Sequence, residues 1–208
     1  MPTENTAKPQ LLTVALPLEA RLPATRNEVQ SIAQHAKDIN TVELLESKAT
    51  KERVSDAMKH SQWVHLACHG KQNIAKSAES FLSLANGSKL TLTEIIGLNL
   101  KNAELAFLSA CETATGDKQL EEESVHLAAG MLLAGYRGVI ATMWSIEDNL
   151  ACEIAVETYR LLFEQYNADH RRAADALNFA VKNVSKNREG KGEKVRLFNW
   201  VPFVHLGI

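Results

Sequence analysis

Two apolar runs in this sequence end in residues equipped for chemistry. One closes as Leu66-Ala67-Cys68-His69-Gly70 and the other as Leu108-Ser109-Ala110-Cys111-Glu112. A thiolate attacks a carbonyl carbon far better than a thiol does, so a nucleophilic Cys111 needs a base or a cation beside it. An imidazole at a neighbouring strand end supplies this and then protonates the leaving amine. Gly70 has no Cβ, which lets its backbone approach a substrate closely. Its N–H, with that of Cys111, would form an oxyanion hole, where one donor is worth roughly 100- to 1,000-fold in turnover. The pattern points to acyl transfer by a His69–Cys111 dyad. No carboxylate stands out as a third member, and a dyad suffices.

Each residue alone has a plainer reading. A histidine after a strand is more often a structural hydrogen-bonder, and a lone cysteine more often a small buried hydrophobe. Order, spacing and placement at strand ends are what set His69 and Cys111 apart. Cys68, next to His69, alternates to the other face of its strand and reads as core. Cys152, near the start of a long helix, reads as packing. His65 shares a face with His69 and is assigned a structural role, and His126 falls within a buried helix. No His or Cys pair has zinc-finger spacing, so no metal is expected. Gly130, Gly135 and Gly138 lie within and after a helix, not in the turn after a strand that a dinucleotide fingerprint requires, so no cofactor is expected.

Strands are expected at Leu11–Leu16, Thr41–Glu46, Trp63–Cys68, Phe81–Leu84, Glu104–Ser109, Gly138–Trp144 and Trp200–Leu206. Thr25-x-x-Glu28 has the form of a capping box opening a helix to about Lys37. Thr50 would cap a second helix to about His60, and Thr93–Gly97 makes one turn. Glu121–Ala134 is apolar almost all round and so buried. Glu147–Tyr166 and His170–Ser185 complete the helices, the last with Ala173, Leu177, Ala180, Val181 and Val184 at helical spacing. Lys71–Ser88 reads as loop-rich, and 112–120 and Asn187–Lys194 as polar loops. Strands alternating with long helices imply an α/β fold with a largely parallel sheet covered on both faces. In such sheets the reactive crevice lies beyond the carboxyl ends of the strands. Residues 1–10 read as a disordered lead-in and 11–208 as a single domain.

Composition excludes several classes. The 208 residues are 45% hydrophobic and 23% charged, with a formal net charge of -2, so there is no basic footprint for direct nucleic-acid contact. No apolar run approaches the ~20 residues that span a bilayer, and the polar N-terminus is unlike a secretory signal. Three cysteines suit a reducing, cytoplasmic setting better than a disulfide framework.

Five segments carry a family likeness: Trp63-Val-His-Leu-Ala-Cys-His-Gly70, Phe107-Leu-Ser-Ala-Cys-Glu-Thr-Ala-Thr-Gly-Asp117, Gly130-Met-Leu-Leu-Ala-Gly-Tyr-Arg-Gly138, Val139-Ile-Ala-Thr-Met-Trp-Ser-Ile-Glu-Asp148 and Trp200-Val-Pro-Phe-Val-His-Leu-Gly207. On these the chain resembles a CHAT domain, a caspase-like cysteine peptidase domain related to separase and often found with tetratricopeptide repeats. The Ala-Cys pair with its His upstream also has the shape of the caspase signature, with Ser in place of Gln. The resemblance implies a caspase-like three-layer α/β/α sandwich and a catalytic dyad of His69 and Cys111 working through a thioester acyl-enzyme. It implies a regulated endopeptidase that cleaves specific proteins in cell-death or defence signalling. A sensor module or partner protein, such as a repeat or NTPase domain, would release it from latency. In caspase relatives the strand after the buried helix leads into the substrate-binding edge, here Trp144, Ser145, Ile146, Glu147 and Asp148. Separases carry a similar Trp-x-x-x-Asp segment whose acid meets a basic P1 side chain, which assigns that role to Asp148. The competing reading makes Asp148 the cap of the following helix. Glu112 and Asp117 are weaker pocket candidates, because acids there serve equally to shape their loop.

Two other classes of function remain. The same fold serves as a non-catalytic scaffold, although such pseudo-enzymes usually lose the Cys or the His, and both are kept here. A thiol redox protein would need a second cysteine near Cys111, which the sequence does not provide.

Overall fold

The computed structural model describes residues 8–16, 23–71, 80–109, 123–143, 146–193 and 202–208. The strands that build the centre are β1 (Leu11–Ala15), β2 (Thr41–Leu45), β3 (Trp63–Ala67), β7 (Leu105–Leu108), β8 (Gly138–Thr142) and β9 (Phe203–Gly207). They form one sheet in the order β2-β1-β3-β7-β8-β9. All pairs are parallel except β8 with β9. Every residue of β1, β3, β7 and β8 is buried. A strand covered on both faces is apolar along most of its length, which is why these runs show no polar alternation, with Thr13 and His65 among the buried polar exceptions.

Helices α1 (Ala24–His35), α2 (Lys51–His60), α3 (Leu92–Gly97), α4 (Glu123–Ala134), α5 (Asp148–Glu164) and α6 (Ala173–Gly190) make the outer layers. Alternation along the strands divides the interior in two. Val64, Leu66 and Cys68 join Leu12 and Val14 against Met58 of α2, Ile95 of α3 and Leu127 of α4. Trp63, Leu105 and Phe107 face Ile32 of α1, Ile154 and Tyr159 of α5 and Leu177 of α6. The result is the three-layer α/β/α sandwich expected from the sequence. No helix among the described residues is long and apolar enough to cross a membrane.

Three local expectations are corrected. The loop-rich stretch after Gly70 holds more than the one strand expected near Phe81: β4 (Gly70–Lys71) and β6 (Lys89–Thr91) flank β5 (Phe81–Ser83), and the three form a small antiparallel sheet. Helix α6 runs to Gly190, past the loop expected from Asn187. Arg188 explains the extension: its guanidinium reaches Glu153 Oε1 of α5 at 2.9 Å and Glu147 Oε2, just before α5, at 3.4 Å, an anchor for the last turn. Thr25-x-x-Glu28 is not a capping box, because α1 begins at Ala24 after Pro23 and both residues point inward. A capping box does open α3, at Thr91-x-x-Glu94, in which the Thr91 hydroxyl accepts the Glu94 N–H and the Glu94 carboxylate accepts the Thr91 N–H.

Candidate active site

The two motif-bearing strands are direct neighbours. β3 and β7 pair in parallel with His65 opposite Phe107 and Leu66 opposite Leu108. The ladder continues one residue further, where the Ser109 N–H donates to the Leu66 carbonyl at 3.0 Å. Both strands therefore end side by side at the carboxyl edge of the sheet. His69 follows β3 and is half-buried. Its carbonyl accepts the Ser83 N–H of β5 at 2.8 Å, so the small sheet fixes the main chain at this residue. In an antiparallel ladder, hydrogen-bonded pairs alternate with non-bonded ones. Gly70 opposite Leu82 is the next pair along, which turns the Gly70 N–H away from β5. A Cβ on Gly70 would lie 2.9 Å from Leu127 Cδ2 of α4, a contact the end of that leucine side chain would have to yield to. Cys111, Glu112, Asp117, Trp144 and Ser145 lie outside the described residues.

Asp148 stands at the first turn of α5, half-buried. Its carboxylate does not cap its own helix, whose N-cap is Glu147 without a side-chain bond. Instead, Oδ2 accepts the backbone N–H of Ala24, the first residue of α1, at 3.1 Å. Burial pushes the Asp148 carboxyl above the usual range, and the Glu28 charge pushes it the same way. The Ala24 hydrogen bond and nearby His69 pull it back. Asp148 thus lies within electrostatic reach of His69. Glu147 is exposed and paired with Arg188, and Ile146 packs against the α5–α6 side of the core.

The profile of the CHAT domain matches residues 2–208. The chain belongs to the CHAT domain family. No match was found among curated proteins. Similar solved structures include the Arg-specific cysteine proteinase gingipain R, with a TM-score of 0.60, 14% identity, and coverage of 95% of this chain and 46% of that one. The complex of Porphyromonas gingivalis RgpB pro- and mature domains gives a TM-score of 0.59 at 14% identity, over 95% of this chain and 47% of that one. This CHAT domain therefore spans less than half the length of those structures, and at such identity the likeness is one of fold.

The residues set aside from the sequence fall as follows in the CHAT domain. Cys68 is buried in the α2–α4 half of the core. Cys152 is a free, half-buried thiol whose pKa is pushed up to about 12, first by burial and then by the charges of Glu28, Asp148 and Glu153. The side chain of His126 lies outside the described residues. His65 is fully buried, its ring tilted against Phe107 and edge-on to Tyr159. Among the described residues no group of three or more His, Cys, Asp or Glu side chains is placed to hold a metal.

Sequence reasoning missed Glu28 and Ser109. Both are buried, and the Ser109 hydroxyl donates to Glu28 Oε1. His65 Nε2 lies 3.1 Å from the same oxygen, in contact but off the line of a good hydrogen bond. The signal was present in the pattern. The inward stripe of α1 is Ala24, Thr25, Glu28, Val29 and Ile32, and an acid in such a stripe conflicts with burial unless it has a task.

Proposed function

We propose that this CHAT domain is a regulated cysteine endopeptidase with a His69–Cys111 dyad. The observation that supports the reading is the parallel pairing of β3 and β7 up to Ser109, so that the strand His69 follows and the strand ending two residues before Cys111 are direct neighbours. In the proposed reaction, His69 accepts the Cys111 proton and the sulfur attacks the scissile carbonyl. The tetrahedral oxyanion is held by the N–H groups of Gly70 and Cys111. The C–N bond breaks as His69 protonates the leaving amine, and water hydrolyses the resulting thioester. Trp144, Ser145, Ile146, Glu147 and Asp148 would form the substrate edge, with Asp148 meeting a basic P1 group. The same reading includes specific protein substrates, release from latency by a sensor module or partner, a cytoplasmic setting and a role in cell-death or defence signalling; it rests on the family resemblance.

The test uses the wild-type chain and Cys111→Ala, each incubated with an unbiased peptide library read by mass spectrometry. Cleavage by the wild type alone is expected, and its products report P1. Absence of cleavage, together with Cys111 alkylating no faster than Cys152, would overturn the reading.

A further inference from the structure

Glu28 is a carboxylate in the wrong place for stability. It is 1% exposed, on the face of α1 that packs on the sheet. Taking a carboxylate out of water costs several kcal/mol unless it is well paired, and a hydrophobic side chain of similar volume is often neutral or better there. Its contacts are specific. One oxygen, Oε1, accepts the Ser109 hydroxyl at the end of β7 and touches His65 Nε2 on β3. Ser109 is two residues before Cys111, and His65 is four residues before His69, which follows the same strand. A single buried atom of α1 thus touches both strands that carry the dyad, close to where they leave the sheet. Among the described residues, Asp148, Cys152 and Tyr159 of α5 also face this carboxylate. None of them offers it a cation.

We propose that Glu28 is a positioning residue for the dyad, holding the end of β7 against β3 through Ser109 and His65 so that Cys111 is presented at the height of His69. A hydroxyl donating to a carboxylate makes a short, strong hydrogen bond, which suits a fixed distance better than a compliant one. The proposal rests on the peptidase reading of the same site. It assigns Glu28 no contact with substrate.

The test reads Cys111 directly and needs no substrate. In a Cys68→Ala, Cys152→Ala background, the rate of Cys111 alkylation by iodoacetamide is followed against pH. The variants are Glu28→Gln, Ser109→Ala, Ser109→Thr, the double variant Glu28→Gln/Ser109→Ala, and His69→Ala. Thermal unfolding is measured on each. Wild type should react as a low-pKa thiol whose reactivity His69→Ala abolishes. Glu28→Gln and Ser109→Ala should each slow the reaction by roughly 10- to 100-fold, the range expected of a misplacement of about 1 Å. Their double variant should be no worse than the poorer single, because both cut one link. Ser109→Thr, which keeps the hydroxyl, should restore the rate. Where peptide cleavage is measured, kcat should fall with KM unchanged. If wild type behaves as described but the Glu28 and Ser109 variants match it, positioning is overturned and the dyad stands. If Cys111 shows no dependence on His69, the dyad itself falls, and the positioning role with it. If reactivity falls only in step with Tm, Glu28 is structural alone. Should Glu28→Gln fail to fold, the Ser109→Ala and Ser109→Thr pair decides the matter.

Discussion

Asp148 on α5 accepts the backbone N–H of Ala24 on α1 at 3.1 Å, a contact between residues 124 positions apart. It caps a helix that is not its own. The first N–H groups of any helix lack intrahelical partners, and Pro23 at the N-cap of α1 offers no side-chain acceptor. An acid from the neighbouring helix takes the part, and so pins α1 to α5 next to His69.

Replacing Asp148 therefore has two separable effects on stability. Asp148→Ala removes the cap and should cost about 1 kcal/mol. Asp148→Asn keeps an acceptor oxygen and removes a half-buried charge. The folded pKa is raised above its ordinary 3.8, so the carboxyl's favourable contribution is complete below that value and is lost as pH climbs through the folded pKa. The Asn variant should be at least as stable as wild type at pH 7 and lose that advantage by about pH 4. Urea denaturation at the two pH values checks this; equal losses for Ala and Asn at pH 7 would refute the account.

The thiols should separate by environment. Cys152, with its pKa pushed up to about 12, is almost wholly protonated at neutral pH, and Cys68 is 1% exposed. Brief treatment of the native chain with iodoacetamide at pH 7.5 is expected to label Cys111 alone, and all three cysteines only in denaturant. Peptide mapping of the label decides it. Cys152 modified as fast as Cys111 would mean that its environment is not the one described.

The strand ends were readable because a buried parallel strand has a strong apolar signature and His69 and Cys111 follow such runs directly. The three layers followed from strand–helix alternation. Glu28 was misread for a physical reason: Thr-x-x-Glu has the same spelling whether it caps a helix or faces inward one turn on, and only the sheet packed beneath α1 distinguishes the two. The competing reading of Asp148 as a cap for α5 failed because its partner is the backbone N–H of Ala24, in a different part of the chain, which no local pattern encodes. Strand β5 was expected near Phe81, but its partners β4 and β6 escaped because strands of two or three residues carry too few positions for a period to show.

Two glycines with positive φ should respond differently to alanine. Gly135, at φ +123°, ends α4, and a Cβ there would lie 2.3 Å from the Leu100 carbonyl oxygen. That carbonyl belongs to backbone tied to α4 through the Leu100 N–H to Ala134 O bond of 2.9 Å, so it has little room to yield. Gly87, at φ +68°, has nothing within 4 Å of the added atom. Gly87→Ala should cost about 1 kcal/mol, from backbone strain alone. Gly135→Ala should cost roughly 2 kcal/mol or more, since strain and a clash with main chain add. Chemical denaturation of both variants ranks them; similar losses would mean that α4 shifts freely at its end.

The Thr91–Glu94 box gives the sharpest pH test. Glu94 is held down to about 2, first by Lys51 and next by the Thr91 N–H. Lys51 and Glu94 are about a third or more exposed, so their ion pair belongs to the surface range of ~0–1 kcal/mol and is screened by salt. The cap itself is worth about 1 kcal/mol, the expected cost of Thr91→Ala. A carboxylate with a depressed folded pKa stabilises above its unfolded value and loses that contribution as pH falls toward the folded one. The difference in Tm between wild type and Glu94→Gln should thus be constant from neutral pH down to about 4.5 and shrink below it toward about 2. High salt should remove only the Lys51 share, leaving the backbone share and its acid dependence in place. A gap that ignores pH would mean that the carboxylate charge contributes nothing to the box, and that the neutral hydrogen bonds alone hold the start of α3.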